Sequence, residues 1–186
     1  MIKEIINKLA QPKSSKGFSL VEALVYVAIL GMVISITVSF FSDLMQTYSK
    51  TSAKSDVTSN ISSALKIISD EIKYASGIYT PTTVLNSNPG QLSLETTFNA
   101  PTGHSSTYID YYLDNGVIYE KREGSSATPL TSNRVFITTL KFERFISNGK
   151  DAVKVMIDGK INTASTNPEY QANISLTSTV SLRGSY

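Results

Sequence analysis

Residues 16–41 read KGFSLVEALVYVAILGMVISITVSFF, and this stretch decides the fold of the chain. After Glu22 it contains no charged residue, and the next charge along the chain is Asp43. A helix of about 20 apolar residues spans the hydrocarbon core of a bilayer, which is roughly 30 Å thick. Residues 18–41 therefore predict a transmembrane helix.

The charges before and after this apolar stretch differ in sign. The segment 1–17 has a net charge of +3, contributed by Lys3, Glu4, Lys8, Lys13 and Lys16. Residues 18–186 hold 13 basic and 14 acidic side chains. The positive-inside rule then predicts a single-pass protein of the cytoplasmic (inner) membrane, with its N-terminus in the cytoplasm and its body outside. A body so close to neutrality is not the electrostatic footprint of a nucleic-acid-binding protein.

The apolar stretch does not have the form of a cleaved secretory signal. Such a signal has an apolar core of about 7–15 residues that ends in small residues. Here the stretch is longer and ends in Phe40 and Phe41. On hydropathy alone, a plain signal anchor carrying an extracytoplasmic domain remains an open alternative.

The predicted helix extends beyond the apolar stretch, because neither proline nor glycine occurs between Gly31 and Gly77. Apolar residues recur there at spacings of three and four. They are Val57, Ile61, Ala64, Leu65, Ile68, Ile72 and Ala75. We expect one helix from Ser19 to Ser76. Its amphipathic half belongs to the segment 42–78, which includes the end of the helix, and packs this stripe on a sheet. Gly77 and Pro81 predict its end.

Residues 79–186 change to short alternating runs, which predict an antiparallel β domain. The expected strands are Gln91–Thr97, Thr107–Leu113, Val117–Glu123, Val135–Ile146, Val153–Ile157 and Tyr170–Leu182. Hairpin turns are expected at Asp114-Asn115-Gly116 and at Ser147–Ala152. Polar loops are expected at Asn99–Ser106, Gly124–Thr131 and Asn162–Glu169. The fold class is therefore α+β, a long N-terminal helix on an antiparallel β-sheet.

The junction Ser15-Lys16-Gly17-Phe18-Ser19-Leu20-Val21-Glu22 resembles the type IV prepilin cleavage site. In that site a basic leader ends in glycine, an aromatic residue follows, and a glutamate is the fifth residue of the mature chain. The resemblance to the type IV pilin and pseudopilin superfamily implies cleavage by a prepilin peptidase between Gly17 and Phe18, and N-methylation of Phe18. Glycine suits this position because it has no Cβ and adopts backbone conformations that other residues avoid.

Glu22 lies one turn inside the predicted apolar helix. A carboxylate at mid-bilayer costs about 2.5–3.5 kcal/mol and is a functional residue by default. In the superfamily it pairs with the α-amino group of a neighbouring subunit, an attraction of roughly 4 kcal/mol at about 4 Å and an effective dielectric near 20. Because desolvation offsets part of this, we interpret the pair mainly as fixing axial register during assembly. The alternative is a solvated carboxylate at headgroup level.

The resemblance implies a structural subunit of a type IV pilus, a competence pilus or a type II secretion pseudopilus. Its partners would be the prepilin peptidase, other subunits and the inner-membrane assembly platform. Many major pilins have a proline where this chain has Ser39, and many close a loop with a disulfide, which a chain without cysteine cannot form. These departures favour a minor subunit. Two segments are similar to J-type minor pseudopilins and W-type minor pilins. They are Leu130-Thr131-Ser132, which leads into Val135, Leu140 and Phe142, and the ending Thr179-Val180-Ser181-Leu182-Arg183.

Other groups with catalytic or binding chemistry are better explained by structure. His104, the single histidine, lies in a polar loop with no predicted nucleophile or orienting partner. Asp114 is explained by turn chemistry and Asp110 by strand alternation. Without cysteine the chain has no thiol nucleophile. We therefore expect no enzyme, no cofactor and no metal site.

Two surface features keep a tip subunit open as an alternative. Tyr108, Tyr111, Tyr112 and Tyr119 cluster on one predicted hairpin, where some should be core and some should suit protein contacts. Between Arg134 and Lys160 the chain carries six basic and three acidic residues. That excess could contact DNA, although a few surface lysines are normal. An adhesive or DNA-binding tip pilin is thus the alternative, and nucleic acid is not the expected partner.

Overall fold

The structure is a computed structural model that describes residues 17–98, 100–147, 149–164 and 172–183. The predicted leader, residues 1–17, therefore lies outside the described residues except for Gly17. The chain divides into two compact units, Met1–Met45 and Gln46–Tyr186. One α-helix, α1, runs from Leu20 to Tyr74, so the helix predicted from Ser19 to Ser76 is confirmed to within two residues at each end.

The part of α1 that belongs to the C-terminal unit packs one stripe of side chains into a core. The buried residues of the helix are Ala53, Val57, Ile61, Ala64, Ile68, Ser69 and Ile72, at the spacings of three and four that place side chains on one face. Ala75 is buried as well, whereas Leu65, predicted in the stripe, is only partly buried. The predicted packing of an amphipathic helix on β structure is thus confirmed.

In the described residues after the helix, eight strands form two antiparallel sheets. The first sheet contains β1 (Gly77–Ile78), β2 (Gln91–Thr96), β3 (Thr107–Asp114), β4 (Val117–Arg122) and β5 (Thr128–Pro129), hydrogen-bonded in that order. The second sheet contains β6 (Val135–Ser147), β7 (Lys150–Ile161) and β8 (Asn173–Ser181), again in chain order. The α+β class is confirmed, but the prediction of a single sheet was wrong.

The division into two sheets follows from what covers the outer edge of β6. The Gly90 amide donates to the Leu140 carbonyl and the Asn86 amide donates to the Phe142 carbonyl. The Asn88 side chain accepts from the Leu140 amide at 3.1 Å. A connecting segment therefore satisfies the backbone groups to which a further strand would bind.

The hairpin between β3 and β4 turns where the sequence predicted it. Asn115 and Gly116 have φ angles of 47° and 78°, the left-handed values that a two-residue hairpin turn requires. A Cβ on Gly116 would lie 2.4 Å from a ring atom of Phe136, so the position also requires glycine for space. The predicted Asp114-Asn115-Gly116 turn is confirmed.

Several predicted boundaries in the β domain were wrong. The β6–β7 ladder extends to Ser147 paired with Lys150, so the predicted turn Ser147–Ala152 is mostly strand. Polar side chains do not end a ladder held by backbone groups, and Arg144 pairs with Asp151 across its end at 2.9 Å. β1 and β5 were missed because each has only two residues. β5 lies inside the predicted loop Gly124–Thr131, as an edge strand that tolerates Pro129.

Two predicted segments reach residues outside the described part of the chain. The strand predicted at Tyr170–Leu182 is observed from Asn173 to Ser181, and residues 170–171 are not described. The loop predicted at Asn162–Glu169 is described only through residue 164, and the loop predicted at Asn99–Ser106 only from residue 100.

One core unites the helix and both sheets of the C-terminal unit. Its fully buried residues include Ile61 and Ile68 from α1, Leu92 and Ile109 from the first sheet, and Ile157 from the second. The helix approaches β7 at Gly159, where a Cβ would lie 3.0 Å from the side chains of Ile61 and Ile137. Glycine therefore permits the helix to pack tightly on β7 at this point.

Candidate functional site

The first candidate site is the exposed apolar surface of α1 in the N-terminal unit. Every residue from Leu20 to Phe41 is exposed, including Leu20 at 82%, Val27 at 70% and Ile36 at 70%. By length and composition, this helix could cross a membrane. An apolar surface of this size on a soluble protein marks a site of contact with membrane or protein.

Three hydroxyl groups within this apolar surface are satisfied by the helix itself. Ser35 donates to the Gly31 carbonyl at 2.9 Å, Thr37 to the Val33 carbonyl at 2.7 Å, and Ser39 to the Ser35 carbonyl at 3.0 Å. Each bond joins residues four apart, so no neighbouring element is needed. These three side chains can therefore enter an apolar environment without carrying unmet hydroxyl groups into it.

Phe18 and Glu22 stand at the start of the same helix. Phe18 is 63% exposed, and its ring stacks on Tyr26 with centroids 5.3 Å apart. Glu22 lies in the first helical turn, where the helix dipole favours a negative charge. Glu22 is exposed and forms no salt bridge with any described residue. Its carboxylate is thus available to a partner outside this chain.

The four hairpin tyrosines divide between core and surface, as predicted. Tyr111 is fully buried, and its hydroxyl donates to Glu120 at 3.0 Å. Tyr112 and Tyr119 are partly buried and stack across β3 and β4 with ring centroids 5.8 Å apart. Tyr108 is partly buried and lies on the same side of β3 as Tyr112, which leaves its ring facing away from the core.

A charged network beneath this hairpin was not predicted. Arg122 donates from Nε to Glu120 at 2.8 Å and from its terminal nitrogen to Glu71 of α1. Burial acts to lower the pKa of Arg122, but its hydrogen bonds to Glu71 and Glu120 outweigh this and raise it. Burial, followed by the charge of Glu120, raises the pKa of Tyr111. The network joins the helix to β4 through residues 51 positions apart, which no local pattern reveals.

His104 and Asp114 both lie on the surface. His104 is exposed, in the loop that follows Pro101, and its backbone amide donates to the Pro101 carbonyl at 2.9 Å. Asp114 is exposed at the hairpin turn. In the described part of the chain no group of three or more histidine, aspartate or glutamate side chains is placed to hold a metal ion.

The predicted basic region is largely neutralised by ion pairs. Arg144 forms two hydrogen bonds with Asp151 at 2.9 Å, and Lys141 and Lys154 both contact Glu143, at 2.7 and 3.4 Å. The hydrogen bond from Lys141 is the main reason that the pKa of Glu143 is lowered. The other three bases also have partners: Arg134 pairs with Asp56, Lys150 donates to the Arg183 carbonyl, and Lys160 lies over Phe136. These contacts argue against a phosphate-binding surface.

Comparison with known proteins identifies the N-terminal feature. Residues 12–38 match the family model of the prokaryotic N-terminal methylation motif, which confirms the predicted resemblance to the type IV pilin and pseudopilin superfamily. Among solved structures, a type IV-like pilin from Thermus thermophilus matches with a TM-score of 0.49 and 9% identity, over 67% of this chain and 95% of that chain. No curated protein sequence gives a significant match. The motif and the apolar helix together indicate membrane anchoring, and the motif is typical of structural subunits and not of enzymes.

Proposed function

We propose that this pilin-like chain is a minor structural subunit of a type IV pilus or a type II secretion pseudopilus. The observation that carries the proposal is the exposed, uncharged helix surface that follows Glu22 within the methylation motif. Such a surface has to be covered by lipid before assembly and by the helices of neighbouring subunits after it. Ser39 and the absence of cysteine support the minor role, since both depart from the pattern of many major pilins.

Maturation would begin with cleavage between Gly17 and Phe18 by a prepilin peptidase. The helix starts at Leu20, so the bond lies before the first helical turn, where an extended backbone is accessible to a peptidase. Among the described residues, no heavy atom beyond the chain neighbours of Gly17 lies within 4 Å of the position that a Cβ would occupy. Phe18 would then carry the new α-amino group, and this group would be N-methylated.

Assembly would pair Glu22 with the Phe18 amine of a neighbouring subunit. In a dry helical bundle an unpaired carboxylate or amine is costly, so the two charges select the axial register in which they meet. Before cleavage, the basic segment 1–17 would hold the N-terminus in the cytoplasm, with the C-terminal unit outside the inner membrane. The assembly platform of that membrane and the other subunits are the proposed partners.

Mass spectrometry of membrane and filament fractions tests the cleavage site. We expect a mature chain that begins at Phe18 and carries one additional methyl group on its amine. Recovery of the intact leader from cells with an active prepilin peptidase, or of a chain cut beyond Phe41, would contradict the proposal. A plain membrane-anchored domain predicts the intact form.

Glu22→Ala tests assembly separately from insertion. The substitution makes the helix more apolar, so insertion and cleavage should remain normal while incorporation into sheared filaments, or the export that depends on them, is lost. Glu22→Gln should be nearly as harmful, because it keeps the volume and removes the charge. Asp43→Ala is the matched control, since Asp43 is the exposed carboxylate at the other end of the apolar stretch. Normal assembly of both Glu22 variants would leave Glu22 as an interfacial carboxylate of a signal anchor.

A further inference from the structure

A cleft of about 300 Å³ opens on the outer face of the first sheet. Its lining includes Tyr79, Thr82, Tyr108, Asp110, Lys121 and Glu123. The volume lies at the lower end of the range for small-molecule sites, which are typically lined by aromatic rings and a few fixed polar groups. Assembly through α1 gives these side chains no role, so the cleft requires its own explanation.

Two tyrosine rings form one wall of the cleft. The rings of Tyr79 and Tyr108 have centroids 4.6 Å apart and are tilted by 50°, so they open as a V and not as a closed stack. Tyr79 is 36% exposed and Tyr108 is partly buried. The face of an aromatic ring is electron-rich, and the weakly positive C–H groups of a sugar ring pack against such a face.

A fixed carboxylate lies beside these rings. The hydroxyl of the fully buried Ser93 donates to Asp110 Oδ1 at 2.5 Å, and the Thr82 hydroxyl in turn donates to Ser93 Oγ at 2.8 Å. Within the described part of the chain, Asp110 Oδ2 accepts no hydrogen bond. Asp110 is therefore held in place by one oxygen while the other is free to accept from a ligand.

The cleft also offers a hydrogen-bond donor, and it carries charges of both signs. Lys121 lies opposite Asp110 in the β3–β4 ladder, and its ammonium group forms no salt bridge with any described residue. Lys121 is the cation available to a ligand, because Arg122, which also lines the cleft, is already bound to Glu71 and Glu120. Two carboxylates, Asp110 and Glu123, line the cleft beside Lys121. Lys121 opposes binding of a cation at Asp110, and the carboxylates oppose binding of an anion.

We propose that this cleft binds a neutral pyranose sugar. A sugar ring presents C–H groups to the two tyrosines, while its adjacent hydroxyls donate to Asp110 and Glu123 and accept from Lys121. Because the strands and the Ser93 hydroxyl already fix the ring wall and Asp110, binding requires little ordering of the site. The subunit would thereby recognise glycans, an activity that does not depend on its assembly into a filament and can be tested on the unassembled chain.

Saturation-transfer-difference NMR on the purified full chain tests the proposal. The chain should be held in micelles of a polyoxyethylene ether detergent, because maltoside and glucoside detergents are themselves sugars. The probes are glucose, galactose, mannose, N-acetylglucosamine and N-acetylgalactosamine, with anionic N-acetylneuraminic acid and cationic tetramethylammonium as comparators. We expect saturation transfer to the ring protons of at least one neutral sugar.

Variants connect that signal to the cleft. Tyr79→Ala should weaken binding by about tenfold or abolish it, and Tyr79→Phe, which keeps the ring, should bind within about twofold of the natural chain. Lys121→Ala should weaken binding severalfold without affecting folding, since Lys121 is exposed. Tyr119→Ala is the matched control, because Tyr119 is a partly buried tyrosine that does not line the cleft. No transfer to any neutral sugar, transfer only to a charged comparator, or a signal unchanged by Tyr79→Ala would overturn the proposal.

Discussion

Replacing Ile68 by alanine tests whether the buried stripe of α1 stabilises the C-terminal unit. Ile68 is 0% exposed and belongs to the core that includes both sheets, whereas its neighbour Ile67 is 39% exposed. Removing a fully buried isoleucine side chain costs about 2–5 kcal/mol, through lost burial and the cavity left behind. The same substitution at Ile67 removes a side chain that still contacts water, so we expect a loss below about 1 kcal/mol.

The size of the Ile68 effect makes it measurable by thermal unfolding. A domain has a total stability of roughly 5–15 kcal/mol, so a loss near 3 kcal/mol is a large part of it. For a unit of this size, that loss lowers Tm by on the order of 10 °C. The chain contains ten tyrosines and no tryptophan, so near-ultraviolet circular dichroism of tyrosine reports the loss of tertiary packing in detergent-solubilised full chain.

Ile68→Asp extends the comparison, because an unpaired buried charge costs more than the domain can tolerate. We expect this variant to insert in the membrane normally but to lose the tyrosine signal of the folded unit. Equal Tm values for Ile67→Ala and Ile68→Ala, or a folded Ile68→Asp protein, would refute the packing of this helix face on the sheets.

Two further predictions concern the charged network. Arg122→Ala removes the common partner of Glu71 and Glu120. It should lower the free energy of unfolding in urea by about 1–3 kcal/mol, because both carboxylates are largely withdrawn from water. Arg134→Ala removes a more exposed pair and should lower it by less than about 1 kcal/mol. If the two losses are equal, the network contributes no more than a surface pair. Burial raises the pKa of Tyr111 above its usual 10.0, so at alkaline pH the folded chain retains a proton that the unfolded chain releases. The free energy of unfolding should therefore fall above about pH 10, by up to about 1.4 kcal/mol per pH unit. Tyr111→Phe should remove that part of the alkaline slope, and an unchanged slope would show that Tyr111 does not cause it.

The helix could be predicted from the sequence because its signals are local. An uninterrupted run between Gly31 and Gly77 and a stripe at helical spacing need no knowledge of distant residues. Ala53, which is 6% exposed, lay outside the predicted stripe, and Leu65, predicted within it, is only partly buried. Burial at the margins of a stripe depends on how far the sheets extend over the helix. The spacing of apolar residues in the sequence does not predict that extent.

The division of the β domain into two sheets could not be predicted, because it depends on long-range backbone pairing. The Asn88 side chain bonds to Leu140, 52 positions away, and thereby helps to cover the edge of β6. The network between Glu71 and Arg122 is equally remote in sequence. In both cases each residue alone appears as an ordinary polar residue of a helix, loop or strand.

The two candidate sites differ in the same way. Gly17, Phe18 and Glu22 lie within a few residues of one another, so a short motif carries their prediction. The cleft brings together Tyr79 from the segment after β1, Tyr108 from β3 and Lys121 from β4. The tyrosine cluster is visible in the sequence, but Tyr79 lies apart from it and contacts Tyr108 only because β1 and β3 both flank β2.

The polar groups of the apolar helix explain why Glu22 is the position to test for assembly. Ser35, Thr37 and Ser39 each bond to a carbonyl four residues earlier, so these hydroxyls place no demand on a neighbour. Glu22 is the single charged residue between Phe18 and Phe41, and a carboxylate cannot be satisfied by helix carbonyls because it has no proton to donate. The amides of the first helical turn offer only a partial positive charge. A full counter-charge or a hydration shell therefore has to come from outside the helix, from another chain or from water at the membrane surface. The choice between these two partners is the difference between an anchored domain and a filament subunit.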